Sequence, residues 1–261
     1  MGQPLISDES GIRWITLDRP EIRNALYTED LTRITEAVTG IGDSVTAIVL
    51  TGSGDRAFSA GMHINTFADA APDDGRAIIT GVRDCTGAIR RAQVPTVAMI
   101  NGYCIGAAFE MALACDLRVA HPDVQFGLPE VKLGIPSVVE AALLQRYVGL
   151  SKAREIILTG DLYPVSEFAA QGLINRTVEP GRLRAATLEL LGSVTAHTRE
   201  VIAAQKSLFE AWLNFGVQDS IDTSVDVFAD LFRAPATSAA VARYQQARRQ
   251  ARGFSRPSGS P

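Results

Sequence analysis

The chain has 261 residues, 46% of them apolar and 21% charged, with a formal net charge of −4. That length allows one sizeable core, or one main domain with a smaller attachment. The acidic balance argues against a protein built around nucleic acid, and no apolar run is long enough to cross a bilayer.

In chain order, residues 11–17 (GIRWITL) read as a strand and residues 28–38 as a helix. Residues 46–52 (TAIVLTG) form a continuous apolar run ending in glycine, the pattern of a strand buried on both faces. A helix over 77–92 follows. Residues 94–102 (VPTVAMING) read as another buried strand that leads straight into a helix opening at Gly106. Residues 116–120 and 124–127 are short strand candidates. Strands alternating with helices predict an α/β architecture with parallel pairing. From Arg182 to Ala251 the pattern changes to consecutive helices with short breaks. The expected organisation is an α/β core over 1–181, a helical region over 182–252 and a disordered tail over 253–261.

The three cysteines, Cys85, Cys104 and Cys115, are odd in number and widely spaced, which argues against a secreted disulfide framework and against a zinc knuckle. His63, His121 and His197 show no metal-ligand spacing, so no metal is expected. The N-terminus MGQPLISDES carries no signal-peptide pattern, and the expected location is the cytosol. Arg243, Arg248, Arg249, Arg252 and Arg256 are the one basic cluster, read as the solvated face and end of a last helix.

Residues 101–116, NGYCIGAAFEMALACD, pose the functional question. The helix opening at Gly106 is apolar all round, which marks a core helix, yet Glu110 sits in its middle. A lone carboxylate in a core costs several kcal/mol unless it is paired, protonated or used. Two small-residue loops, 57–64 (AFSAGMHI) and 102–110 (GYCIGAAFE), both follow buried strands and are expected at one sheet edge. Two backbone N–H groups from such loops, one at a helix start, suit a carbonyl oxygen that becomes an oxyanion. A second acid, Glu130, follows a proline in FGLPEVKLGIP (126–136). Paired carboxylates beside an oxyanion site can run acid and base steps on one substrate. A competing pattern is GSGDRA (52–57), which matches G-x-G-x-x-A after a strand. The chain continues FSAGMHIN, with no helix start to cradle a pyrophosphate, and a glycine-rich turn is the better reading.

With these residues in place the sequence resembles the crotonase family, the enoyl-CoA hydratases and isomerases. The similarity runs from about Trp14 to Arg252, through LDRPEIRNAL (17–26), AIVLTGSGDRAFSAGMHI (47–64), PTVAMINGYCIGAAFEMALACDLRVA (95–120), FGLPEVKLGIP (126–136) and LTGDLYPVSEFAAQGLINRTV (158–178). The resemblance implies a spiral of ββα units followed by C-terminal helices that build trimers, often paired into hexamers. It implies oxyanion donors at the backbone N–H groups of Met62 and Ala107. It implies catalytic roles for Glu110 and Glu130, with Glu110 orienting water and Glu130 protonating carbon. It places Arg23, Ala25, Ala60 and Ile64 along the coenzyme A moiety of an acyl-CoA substrate, with no other cofactor.

Three departures from the family pattern stand out. His63 occupies a position that is often Asp. Gly106-Ala107-Ala108 replaces a glycine-rich run. SVVEAALLQRYVG (137–149) replaces a segment that is glycine-rich in many hydratases. There Glu140 shares a helical stripe with Leu144 and Tyr147, near a position where some family isomerases and synthases carry a catalytic acid. The implied activity is hydration of a trans-2-enoyl-CoA. The alternatives are a double-bond isomerase or other thioester-enolate enzyme using Glu130 with Glu140, and a non-catalytic acyl-CoA-binding relative.

Overall fold

The computed structural model describes residues 2–254, with the side chains of 251–254 left aside. Strand β1 (Leu5–Glu9) is an exposed, polar edge strand antiparallel to β2 (Ile12–Leu17). Helix α1 (Thr28–Thr39) precedes three successive strand–strand–helix units. They are β3 (Ala47–Gly52), β4 (Ala57–Ser59) and α2 (Pro72–Arg90); β5 (Thr96–Ile100), β6 (Tyr103–Ile105) and α3 (Ala107–Ala114); and β7 (Leu117–Ala120), β8 (Gln125–Gly127) and α4 (Ala141–Thr159). Then come β9 (Leu162–Pro164), α5 (Val165–Ala169), β10 (Arg176–Thr177) and α6 (Leu183–Thr195).

The first strand of each unit joins a large sheet of order β1-β2-β3-β5-β7-β10, parallel from β2 onward. The second strand joins a small sheet of order β4-β6-β8-β9, in which β4, β6 and β8 run parallel. This is the expected ββα spiral. The sequence pattern does not reveal the second strands. At three residues each they are too short to show a period of two, and their small residues read as loop.

The apolar runs of the large sheet divide by alternation. Ile15, Leu17, Ile48, Leu50, Ala98 and Ile100 face one core with the helices α1 to α5. Trp14, Val49, Val97 and Val119 face the other way, onto Leu183, Ala186 and Leu191 of α6. That contact moves the division of the chain: the first compact unit is Met1–Ala196 and not 1–181, because α6 covers the second face of the sheet. Helix α2 begins at Pro72, earlier than the apolar spacing indicates. Its first turn is exposed and carries the start signals Pro72, Asp73 and Asp74 in place of a buried stripe.

The second unit contains α7 (Arg199–Asn214), α8 (Val217–Leu231) and α9 (Pro235–Phe254). The helix α9 runs two residues into the stretch expected to be a tail, and 255–261 lie outside the described residues. Arg243, Arg248 and Arg249 are exposed on α9; the Arg252 side chain and Arg256 are not among the described groups. All three cysteines are buried and form no disulfide, and burial pushes the Cys85 thiol up to about 12. No helix among the described residues is long and apolar enough to cross a membrane.

Candidate active site

The two small-residue loops meet because β4 and β6 are parallel neighbours, so the chain leaves both strands on the same side. The first exit is Ala60-Gly61-Met62. Gly61 has φ +80°, and a Cβ there would lie 2.6 Å from the Ile105 carbonyl oxygen and 3.2 Å from the Ala107 nitrogen. Only glycine lets the loops approach this closely.

Residues 23–26 run beside the first loop. Ala60 N–H donates to Arg23 O (2.9 Å), Leu26 N–H to Gly61 O (2.8 Å) and His63 N–H to Leu26 O (2.8 Å). Gly61 N–H donates to Ser59 Oγ (3.0 Å). These bonds use the amides on either side of Met62. Among the described residues the Met62 amide has no acceptor, and neither has the Ala107 amide, which opens α3. Both residues line one cavity of about 80 Å³. Two unpaired donors on abutting loops, one backed by a helix N-terminus, suit the stabilisation of one developing negative charge on a carbonyl oxygen.

Residues 17–26 brace this arrangement in a way that no local sequence pattern announces. Asn24, at φ +55°, accepts from Arg19 N–H (3.0 Å) and donates to the carbonyls of Ser53 (3.0 Å) and Ala57 (2.8 Å). Buried Arg19 pairs with buried Asp30, which also accepts from Tyr27 N–H (2.8 Å). The turn at 52–57 is pinned by Asn101, which bonds both polar groups of Gly52 and the Gly54 carbonyl. It passes into β4 with no helix, so GSGDRA is a turn and not a pyrophosphate cradle.

Glu110 lies one turn into α3, a helix whose eight residues are all buried. Its C-terminal end is held by Arg118, whose guanidinium donates to Ala112 O (2.9 Å) and Cys115 O (2.7 Å). The Glu110 side chain lines the cavity and accepts from Ala141 N–H at 3.4 Å. Burial first, and then the neighbouring Glu130 carboxylate, push its pKa from the ordinary 4.5 up to about 8.

Glu130 sits on the short helical turn Pro129–Leu133 and lines the same cavity. Its Oε2 accepts from Ser137 Oγ (2.7 Å). Its Oε1 lies 2.8 Å from where a Cβ on Gly106 would stand. Gly106, at φ +57°, therefore both turns the chain into α3 and leaves room for the second carboxylate. The segment 137–141 thus holds both acids, one by a hydroxyl and one by an amide. Val139 in that segment has φ +46°, a backbone state that costs a β-branched residue about 1–3 kcal/mol and persists only where its surroundings fix it.

The remaining sequence candidates fall around this centre. Ala60 lines the cavity; Arg23 and Ala25 lie on the paired segment beside it, Ala25 buried and the Arg23 guanidinium 5.4 Å from the centre of the Tyr103 ring. Ile64 is 58% exposed just beyond Met62. His63 caps the short turn Ile64–Thr66 through Nδ1, which accepts from Asn65 N–H (3.2 Å), and stacks on Tyr27.

Glu140, the candidate third acid, does not line the cavity. It is buried at the start of α4, and Arg90 Nε on α2 lies 3.8 Å from its Oε1. Glu140 already has helical backbone angles and is buried, as is Leu144 on the same stripe, but that stripe meets the core beside α2 and not the cavity lining. Among the described residues no group of His, Cys, Asp or Glu is arranged to hold a metal ion.

The family model described as enoyl-CoA hydratase/isomerase matches residues 7–251. The chain is 30% identical over 231 residues to a crotonyl-CoA hydratase of Syntrophomonas wolfei, covering 87% of each. It is 29% identical over 231 residues, again 87% of each, to a short-chain-enoyl-CoA hydratase of Clostridium acetobutylicum. Among solved structures it resembles an enoyl-CoA hydratase of Mycobacterium smegmatis, with a TM-score of 0.88, 27% identity and coverage of 93% of this chain and 96% of that one. The chain belongs to the enoyl-CoA hydratase/isomerase family, the crotonase family of enzymes.

Proposed function

We propose that this protein is an enoyl-CoA hydratase, adding water across the trans-2 double bond of an enoyl-CoA thioester. The observation that carries the reading is the convergence of two unpaired amides and two carboxyl groups on one largely apolar cavity. The relatives named as hydratases of crotonyl-CoA and of short-chain enoyl-CoA support the same substrate class.

The chemistry follows from the groups present. The thioester oxygen lies between the Met62 and Ala107 amides, which stabilise the enolate formed when water attacks Cβ; each such donor is worth about 3–4 kcal/mol in the transition state. The charged member of the acid pair takes a proton from the attacking water. The protonated member gives its proton to Cα. No redox or metal group enters, because the thioester carbonyl itself accepts the electron pair. The resemblance assigns the donation to Glu130, whereas in the free site the raised pKa leaves the proton on Glu110 at neutral pH. Arg23, Ala25, Ala60 and Ile64 border the approach for the coenzyme A moiety, where backbone contacts dominate.

We assign the chain to a homotrimer or a dimer of trimers. Phe209, Trp212, Phe215, Phe228 and Phe232 are exposed on and beside α7 and α8, more apolar surface than a lone helical unit leaves to water. Three reduced, buried cysteines suit the cytosol. The test is loss of the conjugated thioester absorbance of crotonyl-CoA on addition of the protein. Turnover supports the hydratase; tight acyl-CoA binding without turnover identifies a binding protein instead. Sedimentation gives the oligomeric state.

A further inference from the structure

Residues 137–141 reach both acids of the cavity, so the segment must itself be held in place. Ser137 Oγ–H donates to Glu130 Oε2 at 2.7 Å. The Ala141 amide reaches Glu110 Oε1 at 3.4 Å while also donating to Val138 O at 3.0 Å. Between these contacts Val139 sits at φ +46°, a state that a β-branched residue keeps only while its surroundings hold it. Glu140 is the one charged residue of the segment. It is 6% exposed and lies outside the cavity lining, and Arg90 Nε, at the end of α2, stands 3.8 Å from its Oε1. Burial raises the Glu140 pKa, and Thr86 and Arg90, both of α2, oppose that rise. The same helix walls the cavity through Ile79 and Val82 and packs against α3, which carries Glu110.

We propose that Glu140 is a positioning residue: its pairing with Arg90 ties the segment 137–141 to α2 and so keeps Ser137 on Glu130 and the Ala141 amide on Glu110. The proposal rests on the hydratase reading above, which gives both acids their use. Glu140 touches no reacting atom and acts only through those two contacts. The Ala141 contact is already long, so a shift of about 0.5 Å away from Glu110 carries it beyond hydrogen-bond length. The tie resists such a shift because Glu140 is buried: moving it away from Arg90 leaves a carboxylate shielded from water and without its counter-charge. An ion pair on the surface has no such constraint.

The experiment compares crotonyl-CoA kinetics in wild type, Glu140→Ala, Glu140→Gln, Arg90→Met, Ser137→Ala and the Ser137→Ala/Glu140→Ala double variant, with thermal melts to confirm folding. Glu140→Ala is expected to lower kcat about 10–10²-fold and Arg90→Met about tenfold, each with KM within about twofold of wild type. Glu140→Gln restores kcat to within about fivefold, since the amide keeps the shape and an acceptor facing Arg90. The double variant is expected to lose little more than Glu140→Ala alone, because both losses run through one segment. Losses that multiply place the effect of Glu140 elsewhere and overturn the proposal, as does full kcat in folded Glu140→Ala. If Glu140→Ala does not fold, Arg90→Met takes its place in the same cycle. Hydrogen exchange reads the tie without catalysis: the Ala141 amide is expected to exchange about tenfold faster in Glu140→Ala and Arg90→Met than in wild type and Glu140→Gln, and equal rates overturn the proposal. Wild type that does not hydrate crotonyl-CoA sinks the hydratase reading alone, and the exchange rates then decide the tie.

Discussion

The two acids of the cavity are held in opposite ways. Glu110 belongs to α3, a wholly buried helix packed against α2, α4 and β6, where its position is fixed by packing and its protonation by burial. Glu130 belongs to a five-residue turn whose partners are one hydroxyl and the space left by a glycine. The helix sets an energy and the turn sets a geometry. General acid–base work on adjacent carbons needs both a proton held ready and a carboxyl group placed within reach.

The comparison is broken most directly by removing either acid. Glu110→Gln and Glu130→Gln are each expected to lower kcat for crotonyl-CoA hydration by about 10²–10⁴-fold. Gly106→Ala strikes both acids at once: its new Cβ meets the Glu130 carboxylate at 2.8 Å and adopts φ +57° at the mouth of α3. We expect a loss of about 10²-fold in kcat from a misplacement of this order.

Finer tests separate geometry from energy. Ser137→Ala removes a hydrogen bond to a carboxylate and is expected to cost about tenfold in kcat with little change in KM. If KM rises and kcat does not, Ser137 binds substrate and does not position Glu130. Glu140→Gln, outside the cavity, is expected to stay within about fivefold of wild type, since the new side chain keeps the shape and touches no reacting group. A collapse as deep as those of Glu110→Gln and Glu130→Gln would put Glu140 back among the catalytic groups.

The energy side is read by pH. In the free enzyme kcat/KM should decline as pH rises through about 8, where Glu110 loses its proton. Stability follows the same group. Between pH 4.5 and about 8 the unfolded chain has released this proton and the folded chain has kept it, so folding stability falls as pH rises across that window. Glu110→Gln abolishes the dependence and should be more stable than wild type at pH 8 by about 2–4 kcal/mol, with the difference vanishing below about pH 4.5. Denaturant melts at the two pH values measure it, and equal stability at both would show that Glu110 is not buried as described.

Much of this architecture is written in the order of the amino acids alone. The apolar runs at 46–52 and 94–102 dictate buried parallel strands, because only a strand covered on both faces lacks alternation. The small residues around Gly61 and Gly106 dictate close backbone approach, and an isolated Glu110 in an apolar helix dictates a use for it. The three-residue strands β4, β6 and β8 are beyond the reach of pattern, since they exist by pairing with one another and carry no period of their own. The same holds for α6, whose place on the second face of the large sheet depends on Trp14 and Val97 far away in sequence. Glu140 shows the limit most clearly. Its spacing from Leu144 and Tyr147 reads as one apolar helical face, and that face is buried, but only the packing of α4 against α2 shows that it meets Arg90 and not the cavity. Local sequence determined which groups are available for chemistry. Which of them meet was decided by backbone turns and by long-range pairing, energies that no local pattern records.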